Sequence, residues 1–269
     1  MISVVIPTLG QFDINNLKYQ IINNTEKIKF EIIFCIPKKY YSNLTRLIKY
    51  KNIKIVKSKN FNQVKQRIEG VKFAKYNNIL QLDDDIILSE CFLTNIFNSS
   101  KIFKGNYCVS PIFRDIKTKK IVYRETTILK RILYFVLFQI DFNKMYGRIS
   151  NFGLAFDFSP NYKNVQKVEW LPGGCMLTQK KYYQFFNTRV FQNFEKSYYE
   201  DVYFSLKSKF PKYLDYRNNA FLKLSNGKEN LLINLKYLNL IYRLKRHRNL
   251  AKYMILVVFL CIKNLISIK

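Results

Sequence analysis

The chain has 269 residues, enough to bury a substantial core, and its 48% hydrophobic content excludes an intrinsically disordered protein. Lys and Arg number 46 against 18 Asp and Glu, a formal net charge of +28, which favours negatively charged partners: nucleic acid, anionic lipid headgroups or phosphorylated ligands. The five cysteines (Cys35, Cys91, Cys108, Cys175 and Cys261) form no CxxC pair, and His247 is their single histidine companion, which argues against a zinc site or a disulfide framework and for a reducing compartment.

The opening MISVVIPT has neither a basic leader nor a long apolar stretch before its first strand, so a cytoplasmic chain is expected. ISVVIPT (2–8) is a β-branched run closed by Pro7 and predicts a buried strand. FEIIFCIP (30–37) and NIKIVKS (52–58) predict two more, with Leu17, Ile21 and Ile22 at helical spacing between the first two. NQVKQRIEGVKFAKY (62–76) predicts a helix with Asn62 as its N-cap. Its apolar seam is Val64, Ile68, Val71 and the stem of Lys75, while Gln63, Arg67 and Gly70 share a second stripe. NILQL (78–82) follows as a strand. Such alternation predicts an α/β fold with a mostly parallel sheet flanked by helices.

SECFLTNIFNSS predicts a helix opened by Ser89, and NYCVSPIF (106–113) and KKIVYRE (119–125) predict strands. Residues 128–142 are apolar and aromatic, in the manner of an interfacial helix, and 151–166 read as a loop. VEWLPGGCMLTQKKYYQF then runs strand, turn, strand, helix. Near Asn226-Gly227 the character changes, dividing the chain into a domain over 1–226 and an extension over 227–269. Leu231, Leu235, Leu238, Ile241 and Leu244 space as one helical face, followed by the basic YRLKRHRNLAK (242–252) and the apolar YMILVVFLCI (253–262). That last run is about half of the ~20 residues a spanning helix needs. Two readings stay open: a helix lying on an anionic membrane surface, and a helix packed on the domain.

ILQLDDDIIL (79–88) sets Asp83, Asp84 and Asp85 between two apolar runs in a chain otherwise rich in positive charge. At the carboxyl end of a parallel strand they stand where open α/β sheets place ligands. If the strand continues, Asp83 and Asp85 share a face, and two converging carboxylates suit Mg²⁺ or Mn²⁺ held jointly with a diphosphate. An acidic turn is the plainer alternative. In KSYYEDVYFSL (196–206), Ser197 and Glu200 have capping-box spacing, which assigns Glu200 to the helix start and leaves Asp201 as a candidate general base. By itself Asp201 is an acid favoured by the helix dipole. Trp170, the one tryptophan, reads as core rather than as a sugar-stacking ring.

ISVVIPT, NQVKQRIEGVKFAKYNNILQLDDDI, WLPGGCML and YYEDVYFSL, in this order and approximate spacing over residues 1–225, resemble the family 2 glycosyltransferases of the GT-A fold. The resemblance implies a Rossmann-like mixed sheet flanked by helices, followed here by amphipathic C-terminal helices. It implies an inverting enzyme that uses a nucleotide-diphosphate sugar and a glycan or lipid-linked acceptor, often in bacterial surface-polysaccharide synthesis, with no nucleic-acid partner. Residue by residue, it implies Asp85 as principal metal ligand with Asp83 beside it, and Asp201 as catalytic base. Pro7, Gln63, Arg67, Asp83 and Asp84 would lie at the donor, and Gly173 and Gly174 would bring the backbone close to the sugar.

Three departures stand out. No Asp ends the second strand, which runs into CIPKKYY; NNAFLKLSNG, after the Glu-Asp helix, has no His, and His247 lies later in the basic stretch; and Ile68 follows Arg67 where the family carries Asn. Two other classes remain: a membrane-associated scaffold with a degenerate GT-A domain, and a nucleic-acid-binding protein.

Overall fold

The apolar, β-branched runs form the first strands of the computed structural model: β1 (Ile2–Pro7), β2 (Phe30–Pro37), β3 (Ile53–Ser58) and β4 (Asn78–Leu82). The structure describes residues 1–24, 28–47, 50–123, 127–128, 132, 134–136, 145–191, 199–223, 231–245 and 249–266. These four strands lie parallel in the order β3-β2-β1-β4, with Ile2 opposite Phe30 on one side and Asn78 on the other. All six residues of β1 are buried, as a central strand covered on both faces requires.

Alternation within β1 sorts the two cores. Val5 points to one face with α2 (Gln63–Lys72), through Val64 and Val71. Val4 and Ile6 point to the other, where α1 (Ile14–Asn23) contributes Leu17 and Ile21, and α3 (Phe92–Ser100) contributes Phe92, Leu93 and Ile96.

Beyond β4 the sheet becomes mixed rather than mostly parallel. Its further strands are β5 (Ile87–Leu88), β6 (Cys108–Asp115), β7 (Val165–Val168), β8 (Cys175–Gln179) and β9 (Lys212–Leu222). β8 pairs antiparallel with β4 and with β6; β9 runs parallel to β6 and carries β5 and β7 antiparallel. β9 has no counterpart in the sequence reading, because Asp215, Arg217, Asn218 and Asn219 interrupt its apolar pattern. The structure shows why they are tolerated. The register jumps from Pro111↔Asp215 to Ile112↔Asn219, so β9 bulges, and the buried Asp215 carboxylate accepts hydrogen bonds from the Arg217 backbone and from the Arg217 and Asn218 side chains.

Two expected elements differ. α3 starts at Phe92 with Cys91 as its N-cap in the left-handed region (φ 55°), not at Ser89, whose N–H is spent on Asn219 of β9. The described part of KKIVYRE, residues 119–123, contributes one bridge, Ile121 to Arg114, rather than a strand. Most of the apolar segment 128–142, the Asn226-Gly227 boundary and His247 lie outside the described residues.

α4 (Glu200–Lys207) and α5 (Leu231–Leu244) meet in the core, where Val202, Tyr203 and Phe204 join Tyr237 and Ile241. α6 (Leu250–Ile266) packs on α5 by burying Leu256 with Leu238 and Phe152, and by stacking Tyr253 on Tyr242 at 4.3 Å. No described helix is long and apolar enough to cross a membrane.

Gly70 lets α2 lie close against β1: a Cβ there would lie 2.7 Å from Cγ1 of Val5. Val5 is fully buried and has nowhere to retreat. Gly70→Ala is therefore expected to cost about 1–3 kcal/mol by overpacking, read as a lower urea midpoint at unchanged slope.

Candidate active site

β4 ends at Leu82, and the acidic triplet that follows is a turn, closed by Ile86 N–H donating to the Asp83 carbonyl at 3.3 Å. Strand alternation therefore stops before the triplet. All three aspartates line one cleft of about 610 Å³, together with Pro7, Thr8, Gln63 and Gln66 and the aromatic Phe12, Tyr40 and Phe61. Asp85 is exposed in it, whereas Asp83 and Asp84 are half-buried. Thr8 donates its hydroxyl to Asp84 Oδ2, and burial, opposed by that hydrogen bond, pushes the Asp84 carboxyl up to about 7.

α2 reaches this turn from below. Asn62 accepts from the N–H groups of Val64 (3.0 Å) and Lys65 (3.2 Å), the cap expected from sequence, and its amide donates to the Phe191 carbonyl at 3.2 Å. The helix start is thereby fixed, and Gln63 and Arg67, one turn apart, converge on the same atom. Gln63 Nε2 donates to Asp83 Oδ1 at 2.8 Å and Arg67 Nη2 at 2.7 Å. The Arg67 side chain is only 2% exposed and does not line the cleft. Its other terminal nitrogen, Nη1, stands 3.7 Å from Glu200 Oε1. Burial alone would lower its pKa, but Asp83 and Glu200 outweigh that and hold the guanidinium above its ordinary value.

Glu200 is thus not the third residue of a capping box. α4 takes Tyr199 as N-cap, at φ 56° with no side-chain capping bond, so Glu200 is its first helical residue and turns inward to Arg67. Ser197 lies outside the described residues. Asp201 accepts from Val202 N–H at 2.7 Å and from Gly173 N–H. Burial raises both acids. Glu200, pushed further by the charge of Asp201, reaches about 8, while the backbone donors limit Asp201 to about 6. The two acids titrate as a coupled pair, and burial favours a proton held between them.

The Pro172-Gly173-Gly174 turn joins the two acidic groups. The Asp83 N–H donates to the Gly174 carbonyl at 2.8 Å, and Gln81 of β4 holds the Gly173 carbonyl while accepting from Tyr183 Oη at 3.0 Å. A Cβ on Gly173 would lie 3.4 Å from Cβ of Asp201, and one on Gly174 would lie 3.4 Å from Oδ2 of Asp83. With standard bond lengths these contacts keep Asp201 within about 14 Å of Asp83. Both glycines have negative φ, and both contacts are ordinary van der Waals distances, so the fold itself accepts alanine at either position.

Trp170 is core: it is 8% exposed, donates Nε1–H to the Phe156 carbonyl at 2.9 Å and packs on Phe158. Among the described residues no group of three or more His, Cys, Asp or Glu side chains is arranged to hold a metal ion.

No protein-family model matches the chain, and no curated protein matches it. Solved structures do match in shape. GalNAc-T7 with UDP, GalNAc and Mn²⁺ matches 86% of this chain and 45% of its own at a TM-score of 0.60, with 12% identity. S. aureus TarS 1-349 in complex with UDP matches 90% of this chain and 63% of its own at 0.53, with 11% identity. This is the GT-A glycosyltransferase fold. The chain spans less than two thirds of the length of either structure.

On the GT-A sheet, the parallel half and α2 hold the acidic turn, and the antiparallel β4–β8 pair hands it to the Gly173–Gly174 turn. Sequence reasoning missed Thr8, Tyr40, Phe61 and the inward role of Glu200. Thr8 follows Pro7 directly at the strand end, a signal that was readable. Tyr40 and Phe61 follow β2 and β3 and meet edge-on at 5.9 Å, a pairing visible only once the strands are adjacent.

Proposed function

We propose that this protein is an inverting glycosyltransferase that moves a sugar from a nucleotide-diphosphate sugar to a glycan or lipid-linked acceptor, as in surface-polysaccharide synthesis. One observation carries the reading. Arg67 and the Gly173–Gly174 turn tie an acidic, cleft-lining turn to a second acidic pair, the buried Glu200 and the half-buried Asp201, so a binding site and a candidate base share one rigid frame. The GT-A fold, and UDP in both matched structures, support it.

The donor would lie in the triplet cleft, its base against the aromatic wall of Phe12, Tyr40 and Phe61, its diphosphate toward Asp83 and Asp85. Pro7, Gln63 and Asp84 line the same space. The donor set is hard carboxylate oxygen and contains no nitrogen or sulfur, which fits Mg²⁺ or Mn²⁺. Two side chains, the exposed Asp85 and the neighbouring Asp83, would hold such an ion, with diphosphate oxygens completing its shell. When bound, the ion supplies Lewis-acid neutralisation of the leaving diphosphate.

Asp201 takes the proton of an acceptor hydroxyl. That oxygen forms its bond to the anomeric carbon from the face opposite the diphosphate. The carbon–oxygen bond to the diphosphate breaks, and the nucleoside diphosphate leaves with the electron pair. Gly173 keeps the space beside Asp201 clear of a side chain.

Titration calorimetry with a panel of nucleotide sugars tests the reading. One donor is expected to bind in the presence of Mn²⁺, and to lose about tenfold or more in affinity either without the metal or in Asp85→Ala. Binding of no nucleotide sugar, or equal binding by Asp85→Ala, would remove the donor site from the triplet.

A further inference from the structure

Helices at a water-facing surface expose polar side chains, and most described helices do so here: α3 exposes Asn95 and Asn98, α4 exposes Lys207, and α5 exposes Lys236 and Arg243. α6 inverts this. From Leu250 to Ile262 its exposed side chains are Leu250, Ala251, Met254, Ile255, Val258 and Ile262, every one apolar. At about 100° per residue they cover a continuous arc of roughly 140°. The opposite side of α6 already has its packing partners in Leu238, Phe152 and Tyr242, so the outward arc contributes nothing to the fold of the described chain.

A second apolar surface adjoins it. Tyr134 packs against the same cluster as α6 and against Phe156, while Ile128, Ile132, Phe135 and Val136 face outward, Val136 at 68% exposure. Two elements rooted in one cluster thus both turn large apolar side chains to the outside, far more than isolated surface hydrophobics require.

Charge selects the occupant. The exposed Arg243 lies in the last turn of α5 and Lys252 in the first turn of α6, in a chain of net charge +28, whereas Lys245 is held by the Ile149 carbonyl at 2.9 Å and by Glu169. An apolar helix face on a chain of this charge matches an anionic lipid surface: acyl chains take the arc and the positive field of the chain draws the headgroups. A second copy of the same chain would bring the same positive charge and repel. α6 is 17 residues long, and no described helix is long and apolar enough to cross a membrane, so the geometry is that of a helix lying in the interface plane.

We propose that α6, together with the outward side chains of Ile128, Ile132, Phe135 and Val136, docks this protein on the surface of an anionic lipid bilayer. The docking is independent of the sugar-transfer reading, since none of its residues lines the triplet cleft.

The test is co-sedimentation of the full chain with phosphatidylcholine vesicles containing phosphatidylglycerol, and with vesicles of phosphatidylcholine alone. The chain is expected to bind the anionic vesicles, to bind the neutral ones far more weakly, and to be partly released by salt. Met254→Glu with Val258→Glu is expected to weaken binding about tenfold or more. Both positions are exposed, so the thermal unfolding of this variant should match the parent, and Leu250→Ser with Val258→Ser offers a milder second variant. Equal binding by both variants and the parent overturns the proposal, as does equal binding to neutral vesicles or none to either. Self-association without lipid, abolished by the same substitutions, assigns the face to a second copy and also overturns it.

Discussion

Replacing Asp201 by Asn is expected to lower turnover about a thousandfold while leaving donor affinity within about twofold. The amide preserves shape, and its oxygen still accepts from Val202 N–H, so the start of α4 should hold. What it loses is the capacity to take a proton. Donor affinity should survive because Asp201 stands beside Gly173 and does not line the triplet cleft. The pH profile sharpens the test. Burial raises the Asp201 carboxyl to about 6, and a base works only when deprotonated, so turnover of the parent should rise with pH through about 6. In Asp201→Asn that rise should vanish.

Glu200→Gln makes the counter-experiment. Burial pushes Glu200 up to about 8, and glutamine imitates its protonated state. Activity should largely persist. The stability consequence has a definite sign: a carboxyl whose folded pKa exceeds its unfolded value binds protons more tightly when folded, so its contribution falls as pH rises from about 4.5 to about 8. Glu200→Gln should accordingly gain stability relative to the parent at pH values above about 8, as followed by thermal melts. If Glu200→Gln abolished turnover and Asp201→Asn spared it, the two acids would have exchanged roles.

Arg67→Met should be the most destabilising single change in the site, by about 3–5 kcal/mol in urea unfolding at neutral pH. The guanidinium is 2% exposed and pairs with Asp83 at 2.7 Å while reaching Glu200, so its removal leaves the Asp83 carboxylate without its counter-charge and takes a buried donor from Glu200. Burial already pushes Asp83 upward against the pull of Arg67; without that pull its pKa rises further. The variant should therefore recover stability as the pH is lowered and Asp83 takes up a proton. Arg67→Lys keeps the charge but has one nitrogen where the guanidinium spans two acids, and should recover only part of the loss. A loss below about 1 kcal/mol in Arg67→Met would mean that Arg67 is not the joint between the two acidic groups.

The first half of the sheet was legible because its signals are local. A β-branched run closed by Pro7, the Asn62 cap directly before Gln63, and the apolar seam of α2 each act within a few residues of where they are read. Asp83 and Asp85 stood out as charges set between apolar runs, whereas Asp201 was singled out only by its place after Glu200 and by the family resemblance. β9 was not, since its polar residues are satisfied by a bulge that forms only when β6 lies alongside. Nor was the part played by Glu200. Its spacing from Ser197 mimics a capping box, and only the arrival of a buried arginine from α2 gives its carboxyl a different partner. The spacing of hydrophobic and capping residues settles local elements because their energies are short-ranged along the chain. The meeting of the two acidic groups, and the bareness of the outward face of α6, depend instead on which distant segments come to lie beside them, and packing alone assigns those neighbours.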